Sequence, residues 1–429
     1  MSPRTRKRQP HRHDQLVNAL RFSAIVLISL LSARGSDWPH LLGPTSDAVY
    51  SGPALAEEWP AAGPPVVWKI DAGEGYSSPV IAEGRLIFCH RLEDQLIVDS
   101  LDPKTGSNFW RFKHEMKFRD GANFDSGPRP TPSIKDGKVY IHNSDGYLAS
   151  LDLKDGKEIW SLNTKAKFNS SATWHGCVAS PCVNDKAVIL PVGGTNGCGI
   201  VAFDRETGET IWQTTDEKAT ASTPVMANFG GRSQLLVVTR TVLHSLDPVT
   251  GKDLWSQPTR RQTTGDVYAA NPVVFGDLIF LSGWYKLGAQ LIRVKANKPE
   301  TLWHLDDAIS THYAAGIIYQ DHIYGFHGHA WERGGPNLRC IELATGKLVW
   351  EQPQVGSGTI ARFKDNLLIL SDTGELQLAK ASPKEFQLKG RFQAVGRTTR
   401  TYPALADGFA YIKGPRQLVC VDLRAGAEK

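Results

Sequence analysis

The sequence predicts an all-β protein, an eight-bladed β-propeller of four-stranded antiparallel blades that is closed by pairing of the N-terminal strand with the C-terminal blade. Three observations predict this fold. A pattern of short strands and turns repeats along the chain and ends each time on an aromatic residue. The repeat length of about 46 residues, with four strands per copy, is typical of propeller blades. The array also begins with a spare fourth strand and ends with a copy that lacks one.

The repeat is clearest between Pro132 and Trp160, where three strands are followed by an Asp-Gly turn and a last strand. The predicted closing aromatics are Trp68, Trp110, Trp160, Trp212, Trp255, Trp303, Trp350 and Phe392. Several copies have an Asp-x-x-Thr-Gly turn before this residue, as at 102–106 and 204–208. In such a turn Asp accepts backbone N–H groups, and Gly supplies the positive φ of a tight hairpin. We therefore expect a large aromatic on each outer strand to fill the gap to the next blade.

The two ends of the array predict how the ring closes. The last copy, residues 402–423, stops after three strands and has no Trp. Residues 65–70 supply one strand with Trp68 and have no blade in front of them. Joining the two completes an eighth blade and removes an open sheet edge. The predicted organisation is an irregular arm over 34–64 and a propeller over 65–429.

Residues 1–33 differ from the rest of the chain. A basic start precedes the uncharged apolar run 22–33, and small residues follow. Twelve residues are too few for a bilayer-spanning helix, which needs about 20. The pattern predicts a secretory signal peptide and thus a periplasmic or secreted protein. The alternative is an uncleaved N-terminal anchor, which would make the exported protein membrane-anchored. This segment holds six of the 49 basic residues and one of the 44 acidic ones, so the remainder is near neutral and no nucleic-acid partner is expected.

The six cysteines form no CxxC pair, so neither a zinc knuckle nor a thioredoxin-type site is indicated. Export would permit one disulfide among Cys177, Cys182 and Cys198. Cys340 and Cys420 lie within apolar alternation and are expected to be buried thiols.

The segment Leu-Asp-x-x-Thr-Gly-x-x-x-Trp, as at 101–110, resembles the tryptophan-docking repeat of the PQQ-dependent alcohol dehydrogenases. It also resembles the repeats of outer-membrane-protein assembly factors of the BamB type, and the resemblance covers roughly residues 66–423. The stretch 37–44 is similar to the opening of PQQ-like propeller proteins common in planctomycetes. The resemblance implies the propeller fold and two functions. One is a non-catalytic module that binds a protein or ligand, and the other is an oxidoreductase that uses PQQ and Ca²⁺ on an alcohol or aldose. The repeat alone does not imply the cofactor.

The dehydrogenase resemblance implies features that can be sought in this chain. Those enzymes hold the quinone beneath two adjacent disulfide-bonded cysteines and bind Ca²⁺ through Glu, Asn and Asp, with a further Asp as base. This sequence has no adjacent Cys pair and no CxxCH haem motif. Asp266 and Asn271 could supply oxygen ligands to Ca²⁺. The favoured interpretation is structural: Asp266 caps a turn, and Asn271 precedes Pro272 in a turn. We assign no catalytic residue and favour binding or scaffolding. The BamB type is normally a lipoprotein, and no Cys follows the apolar run here.

The residues that enter the innermost strands should surround one mouth of the channel. Alignment of the repeats places there Tyr76, Arg129, His175, Tyr268, His312 and Arg400. This rim of Arg, His and Tyr predicts binding of an anionic or polyhydroxylated ligand, with Arg as a carboxylate fork. The alternative is that these are hydrated loop side chains with structural hydrogen bonds.

A second cluster contains His322, His327 and His329, followed by Trp331 and Glu332. On a strand, His327 and His329 would project to the same face and could hold Zn²⁺ or Cu²⁺. A metal site needs a third or fourth ligand, which the segment 174–177 would offer only if it lies nearby. A location without metal is the favoured interpretation.

Overall fold

The structure is a computed structural model that describes residues 36–170, 173–259, 268–284, 287–329 and 335–426. The predicted signal or anchor segment lies outside these ranges. Two strands precede the first complete blade: β1 (Val49–Tyr50) and β2 (Val66–Asp71). Within the described ranges, no helix combines the length and the apolar character needed to cross a membrane.

Blades 1 to 4 follow in chain order. Blade 1 comprises β3 (Val80–Ala82), β4 (Arg85–Leu92), β5 (Gln95–Leu101) and β6 (Asn108–Glu115). Blade 2 comprises β7 (Ser133–Lys135), β8 (Lys138–His142), β9 (Tyr147–Asp152) and β10 (Glu158–Asn163), and the helix α1 (Thr164–Phe168) follows it. Blade 3 comprises β11 (Cys182–Val183), β12 (Ala187–Pro191), β13 (Ile200–Asp204) and β14 (Thr210–Thr214). Blade 4 comprises β15 (Val225–Phe229), β16 (Arg232–Val238), β17 (Val242–Leu246) and β18 (Asp253–Pro258).

Blades 5 to 8 complete the ring. Blade 5 comprises β19 (Val273–Phe275), β20 (Leu278–Gly283), β21 (Gly288–Lys295) and β22 (Lys298–Leu305). Blade 6 comprises β23 (Ile317–Tyr319), β24 (His322–His327), β25 (Asn337–Glu342) and β26 (Leu348–Gln352). Blade 7 comprises β27 (Gly358–Phe363), β28 (Asn366–Ser371), β29 (Glu375–Lys380) and β30 (Gln387–Gln393). Blade 8 comprises β31 (Ala404–Ala406), β32 (Phe409–Lys413), β33 (Gln417–Asp422) and the early strand β2.

The predicted fold and its closure are confirmed. The described strands form eight antiparallel blades, and β2 is the outermost strand of the last blade. It pairs with β33, with Trp68 opposite Cys420 and Asp71 opposite Gln417. Because this sequence-distant strand joins it, blade 8 has four strands, as its neighbours do, and its outermost position is filled.

A β-bulge in every outermost strand sets the direction of the large aromatic side chain. In blade 2 the register shifts between Glu158 and Trp160, and equivalent shifts occur in the other seven blades. A bulge inserts one unpaired residue and re-aims the next side chain. The re-aimed residue is Trp in seven blades. In five of them its indole lies over the Gly of the turn before the last strand of the next blade, which we call the docking turn, as Trp110 does over Gly156.

The indole N–H groups join neighbouring blades. Trp110 donates to the carbonyl of Leu153 at 2.9 Å, and Trp303 donates to that of Leu343 at 2.9 Å. Trp255 is an exception, since it donates to Gln234 Oε1 within its own blade at 2.9 Å. The facing turn in blade 5 lacks the Thr-Gly sequence, and Gln234 bonds instead to Asn297 in that turn at 2.7 Å.

Blade 7 corrects one sequence prediction. Its bulge places Gly390, rather than Phe392, at the position that Trp holds elsewhere. The arm fills the vacant space, because Trp59 lies against Gly390, with 3.1 Å from the Trp Cβ to where a Cβ on residue 390 would be. An aromatic from outside the repeat thus replaces the one that blade 7 lacks.

The arm also packs against the lower end of the channel, where the innermost strands finish. Trp38 forms a β-bridge with Ile81 of blade 1, and β1 pairs in parallel with β27 of blade 7. The Tyr50 hydroxyl accepts the N–H of Gly408 in blade 8 at 2.9 Å. Trp38 is 2% exposed, so the arm brings buried apolar surface to the seam where the ring closes.

All six cysteines are free thiols, so the disulfide considered among Cys177, Cys182 and Cys198 is not formed. Cys340 and Cys420 are buried, as predicted. Burial raises the pKa of both thiols to about 12, which keeps them protonated at neutral pH.

Candidate functional site

The innermost strands begin at the upper mouth of the channel, which we define by Tyr76, Arg129, His175, His312 and Arg400. These five predicted residues converge. The guanidinium carbons of Arg129 and Arg400 lie 5.1 and 5.3 Å from the centre of the Tyr76 ring. His175 and Arg400 both contribute to lowering the pKa of His312. The innermost strands explain this convergence. They run in the same direction, so the loop residues that precede them all lie at the same end of the ring.

Arg129 and His175 are held by a buried carboxylate, Asp120, that sequence reasoning missed. Asp120 Oδ2 accepts from His175 Nδ1 at 2.7 Å and forms an ion pair with Arg129. Its Oδ1 accepts the N–H groups of Ala122 and Phe124 at 2.9 and 3.2 Å. Burial alone would raise the pKa of Asp120, but these hydrogen bonds and the Arg129 charge hold it below its ordinary value.

The role of Arg129 is therefore structural in large part. Besides Asp120, its guanidinium donates to the carbonyl groups of His175 at 3.2 Å and Asp125 at 3.1 Å. Arg129 thus fits the alternative that we considered for the rim, namely a loop side chain with structural hydrogen bonds. Its charge is balanced before any ligand arrives.

Arg400 has a different environment. Its guanidinium carbon lies 5.3, 5.4 and 5.9 Å from the ring centres of Tyr76, Phe124 and Tyr313. Across the described ranges it forms no hydrogen bond or ion pair of the kind that neutralises Arg129. Its charge lowers the pKa of Asp372, but burial dominates there and the pKa of that carboxyl is raised. The hydrogen-bond donors of this half-buried guanidinium, which three aromatic rings face, are therefore uncommitted among the described residues.

His312 forms the other side of the mouth with aromatic neighbours. Its ring centre lies 4.5 Å from that of His329 and 5.4 Å from that of Trp284, and His329 stacks on Trp284 at 4.3 Å. Burial is the main cause that lowers the pKa of His312 to about 3, and the electrostatic effects of His329, Arg400 and His175 act in the same direction. The imidazole is therefore neutral at neutral pH, so Arg400 is the principal positive charge of the mouth.

Tyr268 does not lie on the rim. Its side chain is 2% exposed and belongs to the core between blades 4 and 5, where its ring lies close to Gly283. Its carbonyl accepts the N–H of Ala221 at 3.0 Å. The alignment of the repeats placed its backbone correctly, but the absence of a side chain at residue 283 lets the ring turn inward.

The predicted histidine pair does not share one face. Strand β24 ends at His327, so strand alternation does not extend to His329. His327 accepts the N–H of Ser310 at 3.1 Å and lies 3.4 Å from Asp307, whereas His329 stacks on Trp284. His322, at the other end of the strand, bonds to the Gln320 carbonyl. The described part of the chain contains no group of three or more His, Cys, Asp or Glu suited to a metal, and residues 331 and 332 lie outside it.

Among the described residues, the carboxylates of Asp120 and Asp125 near the mouth do not fit ligands of a Ca²⁺-bound quinone. Ca²⁺ requires six to eight oxygen ligands. Both oxygens of Asp120 are occupied, and those of Asp125 accept the N–H groups of Gly75 and Gly127 at 2.8 and 2.7 Å. Asn271 Oδ1 accepts the Thr223 N–H at 2.9 Å, as expected for a structural residue, and residue 266 lies outside the described ranges.

Comparison with known proteins gives one family match. The family model for the outer membrane protein assembly factor BamB matches residues 48–172 and 93–352. A quinohemoprotein alcohol dehydrogenase, ADH-IIG of Pseudomonas putida, is 29% identical over 34% of this chain and 20% of its own length. BamB of Yersinia pestis is 26% identical over 57% of this chain and 59% of its own. The structure of BamB from Moraxella catarrhalis superposes with a TM-score of 0.59 at 16% identity, covering 85% of this chain and 98% of that one.

Proposed function

Because this chain belongs to the BamB family of PQQ-type repeat propellers, we propose that it is an exported, non-catalytic binding and scaffolding module whose upper mouth receives an anionic group of a protein partner or small ligand. The observation that carries this proposal is the contrast between two arginines. Arg129 is neutralised by Asp120, whereas Arg400 faces Tyr76, Phe124 and Tyr313 with its hydrogen-bond donors uncommitted among the described residues.

The mouth suits a carboxylate attached to an apolar or aromatic body. A guanidinium presents paired N–H donors that match the two oxygens of a carboxylate. The surrounding rings exclude water and pack against the ligand body, which strengthens a charge-assisted bond. Neutral His312 adds no charge to the mouth. The mouth therefore recognises a single anionic group rather than a dense polyanion.

A second candidate is a PQQ-dependent dehydrogenase, which the similarity to the Pseudomonas putida enzyme favours. Several features of the described residues argue against it. The sequence has no adjacent cysteine pair, all six thiols are free, and the mouth carboxylates are occupied by protein donors. The sequence thus lacks the adjacent cysteine pair that the resemblance implies for this chemistry, and the oxygens of the described Asp120 and Asp125 are committed to other groups of the protein.

One experiment separates the two candidates. Purified protein is incubated with PQQ and Ca²⁺ and desalted, and the retained quinone absorbance is measured together with dye reduction by alcohols and aldoses. A binding module shows no substrate-dependent dye reduction above the control without PQQ. Stoichiometric retention with turnover would replace the proposed function with the dehydrogenase.

A further inference from the structure

A second polar pocket lies on the lower face of the ring, away from the upper mouth. It has a volume of about 670 Å³ and lies between the lower turn of blade 6 and the two lower turns of blade 7. Four basic side chains line it, and Asp365 is the single acidic lining residue. The basic residues are Arg362, Lys364, Lys380 and Lys384. The chain beyond the N-terminal segment is near neutral, so this concentration of positive charge is local.

A departure from the repeat creates the pocket wall. Blade 7 joins β29 to β30 through residues 381–386 instead of an Asp-x-x-Thr-Gly turn. The Ser382 carbonyl still accepts the indole N–H of Trp350 at 2.9 Å, which fixes the base of this longer turn. Lys384 then projects from a turn that packing has already anchored, so the pocket exists before a ligand binds.

The positive charges of the pocket are only partly balanced. Lys364 pairs with Glu57 of the arm at 3.1 Å. Lys380 and Lys384 are exposed and form no ion pair with any described residue. Arg362 lies 4.6 Å over the Tyr319 ring, and its Nη1 donates to the Lys364 carbonyl. Arg362, Lys380 and Lys384 thus have no carboxylate partner among the described residues.

We propose that this lower pocket binds a small molecule that carries a diphosphate group. Lysines act as compact charges toward phosphate oxygens, and arginine adds a directional donor. The unpaired Arg362, Lys380 and Lys384 exceed the charge of Asp365 by two, and a diphosphate supplies at least two negative charges at neutral pH. The site is separate from the upper mouth and does not depend on the proposed function.

The test is calorimetric titration of the full chain with inorganic pyrophosphate, without divalent metal and at an ionic strength of about 0.15 M, where distant exposed charges are largely screened. We expect saturable binding at one site, weakened about ten-fold or more in the double variant Lys380→Gln/Lys384→Gln, since two charge-assisted contacts are lost. The matched control is Lys252→Gln/Lys347→Gln, because each of these exposed lysines follows the Gly of an ordinary docking turn. It should bind pyrophosphate within about two-fold of the wild type, as remote exposed charges contribute little.

Thermal unfolding of both double variants verifies that they fold. Absence of saturable binding by the wild type would overturn the proposal, as would unchanged affinity in Lys380→Gln/Lys384→Gln or equal weakening in the control. Loss of pyrophosphate binding in Arg400→Gln instead would place the anion at the upper mouth. That result would refute the lower pocket and leave the proposed function intact.

Discussion

Docking of each Trp on the next blade predicts that two glycines of blade 2 respond differently to the same substitution. Gly156 and Gly137 have nearly equal backbone angles, with φ of +75° and +73°. A Cβ at residue 156 would lie 2.6 Å from Cε3 of Trp110, whereas a Cβ at residue 137 meets nothing within 4 Å. The Trp110 ring cannot easily withdraw, because it is 9% exposed and its N–H is bonded to Leu153.

The magnitudes follow from these contacts. A left-handed backbone costs a non-glycine residue about 1–2 kcal/mol, and both variants carry that cost. Overpacking against Trp110 adds about 1–3 kcal/mol in Gly156→Ala alone. Urea unfolding of Gly156→Ala, Gly137→Ala and the wild type measures the difference through the transition midpoint at constant m-value. Equal destabilisation by the two substitutions would refute the claim that the docking turn and Trp110 are tightly packed.

Three further predictions concern the ring seam, the upper mouth and acid stability. Trp68→Ala should lower the free energy of unfolding by about 3 kcal/mol, because it removes the aromatic side chain that packs the closing blade against blade 1. The control is Trp174→Ala. The Trp174 side chain is 77% exposed, so its loss should change the free energy of unfolding by less than about 0.5 kcal/mol in the same urea titration. Arg129→Gln should lower the free energy of unfolding by about 3 kcal/mol, because buried Asp120 loses its cation. Arg119→Gln removes an exposed ion pair with Asp94 and should lower it by less than about 1 kcal/mol. Equal losses of stability in the two variants would contradict the structural role of Arg129. Burial lowers the pKa of His142 to about 4, so as the pH falls the unfolded chain binds a proton before the folded protein does, and stability present above pH 6.5 is lost as the pH falls toward 4. In His142→Gln the free energy of unfolding, measured by chemical denaturation, should therefore decline less steeply over this range. Parallel curves for the variant and the wild type would contradict this prediction.

The features predicted from sequence are those that every repeat shares. The tryptophan spacing and the unmatched strand with Trp68 gave the blade count and the closure, because each blade must complete the same sheet. Phe392 was misplaced because the bulge in blade 7 exposes Gly390, and its aromatic partner, Trp59, is remote in sequence. A contact that only one blade makes with the arm leaves no repeated signal in the sequence, so the repeat pattern cannot predict it.

The candidate site was predicted less completely, because its partners lie in loops. Arg129 and Arg400 occupy equivalent positions in their repeats, and sequence alone gave them the same role. They differ because the long loop after blade 1 brings Asp120 to Arg129 and Phe124 to Arg400. The signal that could have revealed this is the length of that loop, which contains two Asp within residues 120–125 and neighbouring Gly.

The most direct test of the anion-binding mouth is a calorimetric titration with benzoate, an aromatic monocarboxylate, of the wild type, Arg400→Gln and the control Arg119→Gln. We predict saturable binding to the wild type and to the control. Affinity should fall about ten-fold or more in Arg400→Gln, the loss expected for one charge-assisted hydrogen-bonded pair. Equal affinity of all three proteins, or no binding by the wild type, would contradict the assignment of Arg400 as the ligand-binding cation of this propeller.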